Sequence, residues 1–130
     1  MQNKIAVILF ACLLLMGASI VFGTEEQLFI TAQELYKSVT ENRSEAETKY
    51  LGKTMQIEGI VVSKGMSKYL TPNVVLSSHA DGPEMVVCVL PRVDVGKLSD
   101  FTVGQQAKFS GRIHSFGERV IVKECQVVAQ

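Results

Sequence analysis

The chain has 130 residues, with 13 basic and 13 acidic side chains, a formal net charge of zero, and 47% hydrophobic residues. That length provides one small domain. The even charge balance argues against a dedicated nucleic-acid binder, for which a clearly basic domain is expected.

The chain opens with polar residues, the positive charge of Lys4, and an almost wholly apolar run from Ile5 to Met16. Small residues follow at Gly17, Ala18 and Ser19, then Val21-Phe22-Gly23 and the acidic pair Glu25-Glu26. A charged start, a short apolar stretch and small residues ahead of a polar mature sequence make a secretory signal peptide over residues 1–23. Cleavage after Gly23 is preferred, and Ala18 also fits. The alternative is an uncleaved membrane anchor over residues 5–23, just long enough to span a bilayer; the Gly-Ala-Ser break favours cleavage. Cys12 makes a poor lipidation site, because the apolar run continues past it. Removing residues 1–23 leaves 107 residues, 12 basic against 13 acidic, a net charge of −1. The expected location is periplasmic or secreted, where disulfides persist, and the mature chain keeps two cysteines, Cys88 and Cys125.

Residues 24–52 read as an N-terminal helical segment. Thr31 can cap the free amides of a helix, Glu34 can reach back to the cap, and Ile30 and Leu35 stand at the staple positions. Leu35 and Val39 share a face one turn apart, which predicts a helix of about ten residues. Ser44-Glu45-Ala46-Glu47 repeats the capping pattern and opens a second short helix, which Gly52 ends. Asn42-Arg43-Ser44 is formally a glycosylation sequon, relevant only in a eukaryotic secretory pathway.

From Lys53 the period changes to two, and residues 53–130 form the second unit. Strands are expected near residues 53–64, 69–78, 84–90, 105–114 and 119–128, separated by turn-like breaks. Between Pro91 and Gly104, Val95, Leu98 and Phe101 recur at three-residue spacing, which suits one helical turn. Five strands with a short helix between the third and fourth is the layout of an OB fold, a partly open Greek-key barrel. The expected fold is thus mainly β, a five-stranded OB barrel preceded by an N-terminal helix. Gly52 and Gly59, before and within the first strand, share their spacing with Gly104 and Gly111, before and within the fourth. Gly59 and Gly111 fall on the inward phase, where a missing side chain permits the bulges and tight bends that a small barrel needs.

Asn42-Arg43, Ala46, Lys49-Tyr50 and Gly52-Lys53, with Gly59, Cys88, Gly104, Gly111 and Cys125, resemble an exported bacterial group of OB-fold proteins called tRNA-anticodon-like. The resemblance runs from about Ile30 to Val128, and its most specific part is the run N-R-x-x-A-x-x-K-Y-x-G-K. It implies an OB barrel preceded by a helix and does not imply an enzyme; the tRNA label records likeness of fold to anticodon-binding domains. Many members are lipoproteins. This chain departs from them in lacking a lipidation cysteine after its apolar segment, so a soluble product is expected. A weaker likeness extends to periplasmic stress-associated OB proteins, which lack the N-terminal motif.

His79 and His114 are the only imidazoles, and neither stands at ligand spacing from another metal-binding side chain, so no metal site and no cofactor are expected. No nucleophile triad, phosphate-binding glycine loop or carboxylate pair appears. OB folds bind across their second and third strands, helped by the loops joining strands one to two and four to five. Those loops carry Lys64, Lys68 and Tyr69, and Arg112, His114, Phe116 and Arg119, which are the candidate ligand-binding residues. The expected function is a non-catalytic exported binding module for a protein, a peptide, or an anionic small molecule or glycan. The alternative is a single-strand nucleic-acid binder, since basic groups with an aromatic among them suit backbone pairing and base stacking. Net charge and export both oppose it.

Cys88 and Cys125 are expected to form a disulfide. The barrel order 1-2-3-5-4 makes strands three and five neighbours, and each carries one cysteine. Cys88 shares its phase with Val86 and Leu90, whereas Cys125 and Val127 are out of phase with Val120 and Val122. A bulge around Lys123-Glu124 would turn all four of these inward and bring the cysteines within bonding range. The alternative is a pair of buried free thiols acting as small apolar residues.

Overall fold

The structure is a computed structural model and describes residues 28–128; the signal peptide or anchor expected over residues 1–23 lies outside them. The chain runs β1 (Leu28–Thr31), α1 (Ala32–Glu41), α2 (Arg43–Tyr50), β2 (Thr54–Met66), β3 (Pro72–Ser77), β4 (Val86–Val89), a 3₁₀ helix (Arg92–Asp100), β5 (Gln106–Phe116) and β6 (Val120–Val127).

The N-terminal helix forms as its capping signals dictate. Thr31 Oγ1 accepts from the Glu34 amide at 3.1 Å, and Glu34 Oε1 accepts from the Thr31 amide at 3.2 Å. Ala32, Leu35 and Val39 supply the buried face of α1. The second helix starts earlier than expected. Asn42, not Ser44, is its cap, and the Asn42 side chain accepts from the Glu45 amide at 3.1 Å. Asn42 N–H also donates to Ser38 O at 3.1 Å, so one residue closes α1 and opens α2. Gly52 follows α2 at φ +82°, a left-handed turn that glycine adopts without strain.

Five strands close a barrel in the order β2-β3-β4-β6-β5, with β5 returning to β2. In this arrangement Thr54–Ile60 pair antiparallel with Arg112–Gln106, β2 continues against β3, and β4 runs parallel to β6. This is the expected OB layout, including the 3₁₀ helix between β4 and β5. A sixth strand was not anticipated. β1 pairs parallel with Met55–Glu58, on the edge of β2 that β3 leaves free before Ile60.

Both inward glycines make room for specific neighbours. A Cβ on Gly59 would stand 2.9 Å from Ser77 O and 3.0 Å from Ala32 Cβ, where the start of α1 covers the barrel. A Cβ on Gly111 would stand 2.6 Å from Val122 Cγ1 and 2.8 Å from Cys125 Sγ. The β5–β6 register slips between Ser110 and Arg112, where Ser110 faces Gln126 but Arg112 faces Lys123. That slip is the bulge expected at Lys123-Glu124, and Glu124 within it has φ +57°. Val120, Val122 and Cys125 are fully buried, and Val127, paired with the core residue Phe109, shares their phase but is 48% exposed.

The core is centred on Phe109, Leu35, Met55, Ile57, Leu76 and Ile113, all buried. Phe101 leaves the 3₁₀ helix to meet Phe109 with ring centroids 5.3 Å apart. Leu98 packs beside them, while Val95 is exposed rather than on a buried face. Among the described residues no helix is long and apolar enough to cross a membrane.

Candidate binding face

Strand alternation decides what the barrel shows to solvent across β3 and β4. Val74, Leu76, Val86 and Cys88 belong to the core, so their neighbours Val75 and Val87 face outward. Register then links one residue per strand into a row: Ser63 with Val75, Val75 with Val87, Val87 with Ile121, and Ile121 with Ser115. A second row beside it links Gly65, Asn73 and Val89. Neither row holds a charged or aromatic side chain. Val75 and Val87 are themselves buried, at 4% and 8% exposure, and Val89 and Ile121 are half-buried.

One end of this face is bordered by the turn joining β2 to β3. Ser67 organises that turn: its amide donates to Thr71 O at 2.9 Å, its carbonyl accepts from Leu70 N–H at 2.9 Å, and its hydroxyl accepts from the Tyr69 and Thr71 amides, both at 3.2 Å. Leu70 is held at φ +62°, where a non-glycine residue is unusual. Tyr69 and Leu70 are each 66% exposed. Lys68 lies over the Tyr69 ring with its Nζ 5.2 Å from the centroid. Arg92, at the start of the 3₁₀ helix, donates to Tyr69 O at 3.0 Å and fixes the turn against the barrel. Lys64 does something different. Its Nζ donates to Leu98 O at 2.8 Å and to Phe101 O at 2.6 Å, tying β2 to the 3₁₀ helix.

The other end is the β5–β6 turn. Because β6 runs parallel to β4, this turn sits at the start of β4 while the β2–β3 turn sits near its end. Ser115, Phe116, Gly117, Glu118, Arg119 and Ile121 line a shallow open depression that continues the row at Ile121. Arg119 is paired with Glu84 at 2.7 Å, and Phe116 is turned partly onto the core. Arg112 projects from β5, with β6 between it and β4, and is paired with Glu124 at 2.9 Å. His114 is exposed at the second irregularity of β5, one residue from Ser115.

The seven expected site residues are therefore not brought together. Lys68 and Tyr69 border one end of the face, Phe116 and Arg119 the other, Arg112 and His114 lie along β5, and Lys64 is a strut. The row of small and aliphatic side chains was missed, because apolar runs such as Val74-Val75-Leu76 and Val86-Val87 read as core on both phases. Their alternation was the available signal, since Val75 and Val87 are out of phase with every core residue on their own strands.

The run from Asn42 to Lys53 supports this end of the barrel. Arg43 donates to Phe116 O at 2.8 Å and to Gly117 O at 3.4 Å, gripping the β5–β6 turn from α2. Ala46 and Tyr50 are buried, Gly52 N–H donates to Ile113 O at 2.8 Å, and Ile113 N–H donates to Lys53 O at 2.9 Å. Arg43, Gly52 and Lys53 thereby attach the helical segment to β5 and its turn.

Cys88 and Cys125 are both buried free thiols, so the expected disulfide is absent from the structure. The expected neighbourhood is present: Cys88 pairs with Val122, and the Cys125 thiol donates to Val122 O at 3.4 Å. The neighbouring Cys125 thiol, followed by burial, pushes the Cys88 thiol well above the ordinary thiol range. Among the described residues, no three or more His, Cys, Asp or Glu side chains are grouped so as to hold a metal. His79 Nδ1 is 2.8 Å from Ser78 Oγ.

The sequence matches the model of the tRNA_anti-like family over residues 1–126. No curated protein sequence matches it. Among solved structures it is similar to a protein of Klebsiella pneumoniae subsp. pneumoniae proposed to be a nucleic acid-binding lipoprotein. Identity there is 15% and the TM-score 0.66, over 79% of this chain and 92% of that one. A protein of Leishmania major Friedlin proposed to be an aspartyl-tRNA synthetase is similar at 11% identity and a TM-score of 0.54, over 82% of this chain but 22% of that one. RecG bound to a three-way DNA junction is similar at 13% identity and a TM-score of 0.52, over 81% of this chain and 13% of RecG. At such identities the likeness is one of fold, and in the last two it is to one module of a longer protein.

Proposed function

The chain belongs to the tRNA_anti-like family, and on that premise we propose that it is an exported, non-catalytic binding module whose ligand is an extended, apolar segment of a protein. The observation that carries this reading is the uncharged row Ser63–Val75–Val87–Ile121–Ser115, across the strands that OB folds use for ligands. The row exposes only part of its aliphatic side chains, chiefly at Val89 and Ile121, and it holds nothing for a phosphate backbone to pair with. Arg112 and Arg119 are already matched by Glu124 and Glu84, which weakens the case for an anionic small molecule or glycan. The exposed Tyr69-Leu70 tip extends the apolar surface at one end, and the depression beside Ile121 extends it at the other.

Single-stranded nucleic acid is the second reading. It draws on the exposed Tyr69 ring with Lys68 beside it, and on the nucleic acid-binding designation of the Klebsiella protein. One aromatic and one unpaired cation are few for a mode of binding that stacks successive bases and tracks a charged backbone.

Two measurements separate the readings. Selection from a displayed library of extended peptides should enrich apolar sequences on the wild type, and Ile121→Lys, at a half-buried position of the row, should abolish the enrichment while preserving the circular dichroism spectrum. Titration with a labelled single-stranded oligonucleotide at low salt should give no binding. Affinity that falls steeply with salt, and is lost in Lys68→Ala or Arg119→Ala, would replace the proposal with the second reading.

A further inference from the structure

Three irregular features converge on one sulfur atom. The β6 strand carries an extra residue opposite Ser110–Arg112, Glu124 is held in the left-handed region at φ +57°, and Gly111 leaves vacant the place where a Cβ would lie 2.8 Å from Cys125 Sγ. Each is costly in a strand: a bulge interrupts the ladder, a left-handed non-glycine residue is strained, and a strand glycine gives up packing. Together they turn the side chain of Cys125 inward, where regular alternation would have left it facing solvent. A small apolar side chain needs no such construction, because β6 could have run regularly with position 125 outside.

What the construction achieves is to bring Cys125 to the side of the barrel interior that holds a second thiol. Cys88 lies on β4, the parallel neighbour of β6, opposite Val122, and the Cys125 thiol reaches back to Val122 O. Both cysteines are fully buried, and both lie against Val122, Cys88 as its strand partner and Cys125 through its thiol. We propose that Cys88 and Cys125 are a modification site, converted by thiol–disulfide exchange into a bond that staples β4 to β6 inside the barrel.

The oxidant is a dithiol-forming disulfide, that of an exported thiol–disulfide oxidoreductase or of oxidised glutathione. One thiolate of the chain attacks it to give a mixed disulfide, and the second displaces the remaining thiol. Two S–H bonds are broken and one S–S bond is formed in the chain; the oxidant takes up the two electrons and two protons and leaves as two thiols. Neither sulfur is accessible in the closed barrel, so exchange takes place as β6 docks or during local opening. Burial then shields the finished bond from reduction. The raised Cys88 thiol supports the same order of events, because a thiol kept neutral in the closed barrel is a poor nucleophile there. This inference is independent of the ligand.

The test is refolding of the denatured, reduced full-length chain in a buffer of reduced and oxidised glutathione, followed by denaturation and alkylation without reductant. Cys88 and Cys125 should both escape labelling and yield a cross-linked peptide pair, and both should label once reductant is added; Cys12 labels in either state. Reductant should also lower the unfolding midpoint of the wild type and leave that of Cys125→Ala unchanged, with Cys88→Ala as the second variant should the first fail to fold. Full labelling of both cysteines before reduction, with a midpoint insensitive to reductant, overturns the proposal.

Discussion

At Gly111 a single hydrogen occupies the place where any other residue would set a carbon against Val122, Cys125 and the carbonyl of Lys123. Two of those neighbours are core side chains, and the third is backbone, so none can yield cheaply. Gly111→Ala should therefore destabilise the domain by about 1–3 kcal/mol, the range for overpacking a filled core, as read from the denaturant midpoint. A midpoint equal to that of the wild type would mean that the β6 bulge absorbs the methyl group. Leu70 poses the opposite case. Its left-handed backbone costs about 1–2 kcal/mol, and glycine would relieve this while adding about 0.5–1 kcal/mol of unfolded-chain entropy. Leu70→Gly should then leave stability unchanged or slightly raised, yet weaken ligand binding by removing an exposed apolar tip. Among the described residues the strongly perturbed ionisable group is Cys88, whose thiol is held neutral by the neighbouring Cys125 and by burial. With both thiols reduced, this stabilisation is whole below the unfolded thiol's value of about 8.5. It is lost as the pH rises above that value and through the folded one. Urea midpoints under reducing conditions should fall from neutral to alkaline pH, and the slope should be absent from Cys88→Ala.

Between the helices and the barrel, the contact that matters for the binding face is Arg43. Its guanidinium holds the carbonyls of Phe116 and Gly117, so α2 restrains the turn that borders the face. Arg43→Ala should cost about 0.5–1.5 kcal/mol, the net worth of a solvent-exposed hydrogen bond. It should also speed amide exchange in the β5–β6 turn while leaving that of α1 unaltered. Uniform acceleration throughout the domain would mean that Arg43 supports the whole fold and not this turn. At the scale of elements the sequence was legible where local chemistry acts alone. The Thr31–Glu34 capping box, the left-handed Gly52 and the bulge at Lys123-Glu124 all stand where they were expected. It was less legible where tertiary pairing decides. β1 is four residues long, too short for alternation to register, and it exists because β2 has a free edge there. The α2 cap fell to Asn42 rather than Ser44, since the same asparagine also terminates α1.

For the whole molecule, barrel order followed from strand count, the glycine spacing and the long break before β5, and the structure has that order. The binding face did not follow in the same way, because charge was used to find it. Lysines and arginines near OB loops attract attention in a sequence, but here Lys64 braces the 3₁₀ helix, and Arg112 and Arg119 are bound to carboxylates. What remains on the face is aliphatic, and aliphatic residues in strands resemble core until the pairing separates inward from outward phase. The central claim is that this uncharged face receives a protein segment. The most direct measurement is two-dimensional NMR of the isotopically labelled protein, titrated with an apolar peptide taken from the displayed library. The account predicts shift changes concentrated at Val75, Val87, Val89 and Ile121 and fading toward the middle of β5. Changes centred on Lys108 and Arg112, with the four aliphatic positions unmoved, would contradict it.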